Sequence, residues 1–326
     1  MVSLNSLRYY DIILTIRMPN MSSKRNFLSI TDFSPEETSA LLQRACQMKA
    51  DQTFKPLAGK SVALLFDKPS LRTRASFEIG IQQLGGICVY MGQQEVGLGI
   101  REPIADVARV LSGYVDCIIA RVFDHKNLEE LAAYASVPVV NALSDWEHPC
   151  QIMADMLTIQ EHHGELSGLK LTFIGDGNNV ARSLCLGLPP MGVHFALGGP
   201  QGYELDEASL SRARQLAGDD SIQVLTTNDP VAAVNGADVV YTDVWTSMGD
   251  EDEAATRRKA FQGYSVGAEL LSKAKPTANF MHDMPVHYGE EISEGMLEHP
   301  QSVAYDQAHN RLPAQKAILE YLLTGV

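Results

Sequence analysis

The sequence predicts an α/β protein built from two doubly wound parallel-sheet domains linked by helices, and three observations carry that reading. Short apolar runs alternate with helical stretches along most of the 326 residues, the pattern of parallel strands joined by crossover helices. The runs fall into two series, separated by one long apolar helical stretch at about 149–163. A chain of this length also buries more than one full core.

In chain order, residues 1–24 are expected to form a poorly ordered extension. Ile12-Ile13-Leu14-Thr15-Ile16 lies between Arg8 and Arg17, is short, has Asp11 at its edge and lacks a small-residue cleavage site, which argues against a signal peptide. Met18 and Met21 offer alternative starts. A helix is predicted at about 34–49, where Ser34 caps it, Pro35 suits its first position and Glu37 completes a capping box. The first strand series is Ser61–Phe66, Ile87–Met91, Cys117–Arg121 and Val137–Val140, with helical stretches near 73–85, 103–113 and 127–135. The second is Leu169–Ile174, Val193–Leu197, Gln223–Leu225, Val239–Thr242, Asn279–Met281 and Val303–Tyr305, followed by a helix at roughly 308–323. Leu188-Pro189-Pro190-Met191-Gly192 must end the helix after Asn179 early, because an interior proline costs about 3 kcal/mol. The domains are accordingly placed at 25–150 and 151–307.

The net charge of −14 argues against a nucleic-acid partner, whose phosphates need Lys and Arg. An anionic substrate would require locally concentrated positive charge. Five scattered cysteines without a Cys-x-x-Cys pair suit reduced thiols in the cytoplasm better than disulfides or zinc. No apolar stretch is long enough to span a bilayer, so no membrane association is expected.

Ligands of doubly wound sheets bind beyond the carboxyl ends of the strands, so the strand-to-helix junctions hold the candidate chemistry. Phe66-Asp67-Lys68-Pro69-Ser70-Leu71-Arg72-Thr73-Arg74 combines a helix N-terminus with hydroxyls and arginine, the makings of a phosphate cradle. It fits an ordinary helix start with solvated arginines equally well. Arg121 ends a buried strand, as a ligand-binding group or as half of a salt bridge. His148 and Gln151, three apart in His148-Pro149-Cys150-Gln151, share one face of a helical turn. They suit a small planar carbonyl or amide, or else a cap and a surface residue. Ile174-Gly175-Asp176-Gly177-Asn178-Asn179 fails as a dinucleotide fingerprint, because Val180 holds the third glycine position and the next strand ends without an acidic residue. Its two amides suit a zwitterion. Asp243-Val244-Trp245-Thr246-Ser247-Met248-Gly249 pairs a carboxylate with a flexible loop. Met281-His282-Asp283-Met284-Pro285, with His287, lacks a second cluster at metal-ligand spacing, so no metal is expected.

Taken in order, these motifs resemble the aspartate/ornithine carbamoyltransferase family, its ornithine branch in particular, from about Phe27 to Leu323. Ser70-Leu71-Arg72-Thr73-Arg74 is similar to the family's Ser-Thr-Arg-Thr-Arg phosphate loop, with Leu71 for the second residue. Arg121 matches a strand-end arginine, His148-Pro149-Cys150-Gln151 the His-Pro-x-Gln motif, and Arg311 an arginine returning from the last helix. The resemblance implies that Ser70, Leu71, Arg72, Thr73, Arg121, His148, Pro149, Cys150, Gln151, Asp283, Met284 and Arg311 bind carbamoyl phosphate, and that Arg121, His148 and Asp283 are catalytic. It implies that Asn179, Asp243, Ser247 and Met248 bind L-ornithine, and that the C-terminal helix, 308–326, packs back on the N-terminal domain. It further implies a homotrimer or a multiple of trimers, and no cofactor. Gly97 stands where a Gln is common in the family, and Asp283 where ornithine enzymes usually have Cys. Another amine acceptor, or a catalytically silent ligand-binding paralogue, is the alternative reading.

Overall fold

The computed structural model describes residues 24–51, 53–246, 249 and 251–325. All but Lys24 of the expected extension, and the loop residues Ser247 and Met248, lie outside the described residues. Helix α1 (Pro35–Ala50) starts as the sequence indicates: the Ser34 hydroxyl accepts from Glu37 N–H, and the Glu37 carboxylate accepts from Ser34 N–H at 2.8 Å.

The first sheet follows through β1 (Ser61–Phe66), α2 (Leu71–Gln83), β2 (Ile87–Gly92), α3 (Gln93–Val96), α4 (Ile104–Leu111), β3 (Cys117–Arg121), α5 (His125–Tyr134) and β4 (Val139–Leu143). It is all-parallel in the order β2-β1-β3-β4. Along β1 the side chains alternate between two cores. Val62, Leu64 and Phe66 face the large one under the long helices, and Ala63 and Leu65 pack with α4 and α5. Helix α6 (Pro149–His163) leads to the second half: β5 (Lys170–Ile174), α7 (Asn179–Gly187), β6 (His194–Gly198), α8 (Glu207–Ala217), β7 (Val224–Thr227), α9 (Pro230–Val234), β8 (Val239–Thr242), α10 (Ala254–Ala260), α11 (Ala268–Leu271) and β9 (Asn279–His282). This sheet is parallel too, ordered β7-β6-β5-β8-β9. The proline pair ends α7 at Gly187 and forms a single 3₁₀ turn, Pro189–Met191.

One expected strand is absent. At Val303–Tyr305, Ser302 makes only an isolated bridge to Phe280, and helix α12 (Ala304–Thr324) begins at once. The apolar signal there came from Val303 and Ala304, buried at a helix start rather than in a sheet. Helix α12 starts four residues earlier than expected and runs through Pro313, held by packing against α6, α1 and α2. The last helix thus closes the core of the first half.

Each sheet has one point where the chain reverses its direction of winding. In the first it lies between β1 and β3, whose ends Phe66 and Arg121 are register partners. In the second it lies between β5 and β8, where Ile174 pairs with Thr242. Ligand crevices form at such points.

Candidate active site

The two switch points, the turn after β9 and one residue of α12 line a single cavity of about 1040 Å³. On the first-domain side, Ser70 caps α2, leaving the N–H groups of Leu71 and Arg72 without partners inside the helix. Those N–H groups and the positive end of the helix favour an anion. Thr73 is fully buried beneath the loop, and its hydroxyl accepts from Arg311 Nη2 at 2.8 Å and Arg121 Nη1 at 3.4 Å. Arg72, Arg121 and Arg311 therefore converge. None is in a salt bridge with a carboxylate among the described residues, and buried Nε atoms of Arg121 and Arg311 have no protein partner. Burial, with Arg311 and Arg72 beside it, pushes the Arg121 guanidinium down to about 10. Burial also lowers Arg311. A cluster of like charges with no carboxylate in salt-bridge range among the described residues is held at a cost to the fold, and an anion relieves it.

His148 stands in the same wall, just before α6. Its N–H donates to Ser183 Oγ at 2.9 Å, and Ser183 in turn donates to the buried Glu147 at 3.2 Å, which fixes the helix start. Burial, then Arg311 and Arg121, holds the imidazole well below its ordinary range, so it is neutral and able to donate one hydrogen bond. Its buried Nδ1 has no partner among the described residues.

The second-domain wall is acidic. Asp243 follows β8 and accepts from Asn178 Nδ2 at 2.8 Å and its neighbour Val244 N–H at 2.7 Å. Asp283 follows β9, and Asp243, His282 and Asp283 offer ligand atoms all within 4.8 Å of one another. Burial first, and then Asp243 and Asp155, raise the Asp283 carboxyl well above the usual carboxylate range. Met284 adopts a left-handed φ of 59° before a cis Met284–Pro285 bond, an uncommon backbone that turns the chain along the cavity. The amide of Asn179 donates to Ser144 O at 2.7 Å, which ties β5's end to the first domain.

Ser70, Leu71, Arg72, Arg121, His148, Asn179, Asp243, Asp283, Met284 and Arg311 all lie on the cavity wall. Pro149, Cys150 and Gln151 do not. The Cys150 thiol donates to Asn141 O at 3.3 Å, and burial pushes it up to about 12. Gln151 is buried and bonded to Asp155. Gly97 caps α3 away from this wall.

Sequence reasoning gave no role to Lys68. It is buried, with Nζ 3.8 Å from the centroid of Phe123, and a Cβ on Gly249 would lie 3.6 Å from that nitrogen. Lys68 therefore carries positive charge from the first domain to the neighbourhood of Gly249. A lysine in a short turn behind a fully buried strand was the available signal. Arg258, His287 and Glu290 also line the rim, with Arg258 paired to Glu290 at 2.8 Å. Among the described residues, two groups have the donor types for a cation, Asp243/His282/Asp283 and His287/Glu290/Glu291. Both are engaged internally: His282 Nδ1 accepts from Met284 N–H at 2.8 Å, and Arg258 holds Glu290.

One end of the cavity is thus built for an anion with a small polar group attached, and the other for a cation. Residues 25–161 match the model of the aspartate/ornithine carbamoyltransferase carbamoyl-P binding domain, and residues 167–322 that of the Asp/Orn binding domain. The chain is 49% identical over 306 residues to the ornithine carbamoyltransferase of Thermococcus kodakarensis, covering 93% of this chain and 97% of that one. It is 48% identical over 303 residues to that of Anoxybacillus flavithermus, covering 92% and 96%. The solved ornithine carbamoyltransferase of Pyrococcus furiosus superposes with a TM-score of 0.89 at 47% identity, covering 93% of this chain and 97% of that chain.

Proposed function

Because the chain belongs to the aspartate/ornithine carbamoyltransferase family, we propose that it transfers the carbamoyl group of carbamoyl phosphate to the δ-amine of L-ornithine, giving L-citrulline and phosphate. The observation that carries this reading is the convergence of Arg72, Arg121, Arg311 and a neutral His148, none with a carboxylate salt bridge among the described residues, opposite Asp243 and Asp283.

Carbamoyl phosphate sits against the N-terminus of α2, with Arg72, Arg311 and the loop N–H groups on its phosphate. Arg121 and His148 donate to the carbamoyl oxygen, where negative charge develops as the neutral amine attacks the carbon. The C–N bond forms, the C–O bond to phosphate breaks, and the ammonium proton passes to the carboxylate side. Asn179, Asp243, Ser247 and Met248 hold the α-amino and α-carboxylate groups of ornithine, and closure of the two domains excludes water from a labile donor.

Asp283, in place of the family's usual Cys, favours a second reading in which the acceptor is another amine, or in which the chain binds ligands without turnover. An acceptor panel separates these. Ornithine is expected to exceed putrescine, which lacks the α-carboxylate, by at least about a hundredfold in kcat/KM, since the buried polar groups would otherwise go unpaired. Equal turnover of the two rejects the ornithine reading, and no phosphate release with any amine favours a silent paralogue.

The family resemblance also supports a homotrimer in the cytoplasm. Large apolar side chains stand exposed on β2 and the loop beyond α3, Ile87 at 65% and Ile100 at 83%, where subunit burial would cover them. Light scattering should return three times the chain mass or a multiple of it, and a monomer would refute the trimer.

A further inference from the structure

Behind the cavity, a buried carboxylate takes three side-chain donors. Asp155, one turn beyond Gln151 on α6, accepts from Gln151 Nε2 at 2.9 Å and Gln307 Nε2 at 2.8 Å on Oδ1, and from the Tyr241 hydroxyl at 3.2 Å on Oδ2. All four side chains are fully buried.

The orientation of each amide is forced. Gln307 Oε1 accepts from the backbone N–H of His282 at 2.8 Å, which can only donate, so Gln307 must present its NH₂ to Asp155. Asp155 Oδ1 therefore faces two amide donors. Burial pushes the Asp155 carboxyl up to about 7, and against its ionised form a flipped Gln151 would set oxygen to oxygen. With Nε2 committed, Gln151 Oε1 is left as a buried acceptor with no partner among the described residues. Carbamoyl phosphate carries one group that an orphan acceptor suits, the NH₂ of its carbamoyl moiety.

We infer that Asp155 is a positioning residue for carbamoyl transfer, locking the Gln151 carboxamide so that its oxygen is the face offered to the carbamoyl NH₂. Gln151 is off the cavity wall in this structure, so the inference rests on the reading of Gln151 as part of the carbamoyl phosphate site. Gln307 extends the same lock to His282, at the start of the turn that carries Asp283.

The test compares native enzyme with Asp155→Leu, Asp155→Asn, Gln151→Met and the double variant Asp155→Leu/Gln151→Met, by KM for carbamoyl phosphate and for ornithine. Asp155→Leu frees the amide to flip, and Gln151→Met removes it. Each should raise the KM for carbamoyl phosphate about tenfold or more and leave that for ornithine within about twofold. Asp155→Asn keeps an oxygen for both glutamines; its NH₂ meets the Tyr241 hydroxyl, which already accepts from Gln307 Nε2 at 2.9 Å and loses the acceptor of its own proton, so the effect should fall on Tyr241 and the KM for carbamoyl phosphate should stay within about threefold of native. The double variant should be no worse than Gln151→Met, because Asp155 has nothing left to orient. A fully additive double variant, or Asp155→Asn as impaired as Asp155→Leu, overturns the inference. If Gln151→Met binds carbamoyl phosphate like native enzyme, the assignment of Gln151 falls and the inference with it. If Gln151→Met is impaired and Asp155→Leu is not, the inference alone falls. Should Asp155→Leu fail to fold, Asp155→Ser takes its place, with the same outcomes.

Discussion

Arg121→Ala and Arg72→Ala are each expected to lower kcat/KM by at least about a hundredfold. A charge-assisted contact that strengthens as negative charge moves onto the carbamoyl oxygen or the leaving phosphate is worth on the order of 3 kcal/mol. Arg121 is 5% exposed and flanked by Arg311 and Arg72, without a carboxylate in salt-bridge range among the described residues. A residue so placed does little for the fold. The volume-preserving Arg121→Met should therefore keep or raise Tm while losing activity, because it removes an unpaired buried charge. Near-native kcat/KM in both alanine variants would dissolve the phosphate site, and a steep fall in Tm for Arg121→Met would make Arg121 a structural residue instead.

Asp283→Asn is expected to trade activity for stability, and pH fixes the sign. Burial and Asp243 raise the Asp283 carboxyl well above its ordinary range in the folded chain. Below a pH of about 4 both folded and unfolded chains hold the proton, and the substitution changes little. Above it the unfolded chain releases the proton while the folded chain retains it, so native stability falls as pH rises toward the folded-state pKa. Asparagine has no proton to lose. The Tm advantage of Asp283→Asn should therefore widen from about pH 4 upward, and a constant or shrinking difference would contradict the buried, proton-holding carboxyl. Activity should move the other way. Asp283 must shed the proton it holds before its carboxylate can take the one released as the C–N bond forms. Loss of that acceptor should lower kcat/KM by about tenfold to a thousandfold and shift the acidic limb of its pH profile. If native, Asp283→Asn and Asp283→Cys give superimposable profiles, Asp283 is a bystander. If Asp283→Cys creates ornithine activity that the native chain lacks, the acceptor is another amine.

What could be read in advance follows from how local the signal was. Buried strands such as Cys117–Arg121 and the capped start of α1 declare themselves in a few residues, whereas the arginine-bearing junctions read equally well as a solvated helix start and a salt bridge. Val303–Tyr305 misled because a buried helix start and a short strand share the same apolar residues. Helix α12 began early and crossed Pro313 because packing on three helices outweighs one missing hydrogen bond. The roles of Lys68 and Asp155 were hidden for a different reason. Lys68 matters through Phe123 and Gly249, and Asp155 through Gln307 and Tyr241, which are distant in sequence. Gln151 shows the limit most clearly, since the motif exposes its presence but only tertiary contacts reveal which end of its amide is free.

The central claim is that one cavity joins an anion-binding half to an amine-binding half for carbamoyl transfer. The most direct test is to supply carbamoyl phosphate and L-ornithine and follow phosphate and citrulline together, in the native protein and in Arg72→Ala. The account predicts equal amounts of both products from the native chain and a loss of both together in the variant. Phosphate released without citrulline, or citrulline formed undiminished by Arg72→Ala, would contradict it.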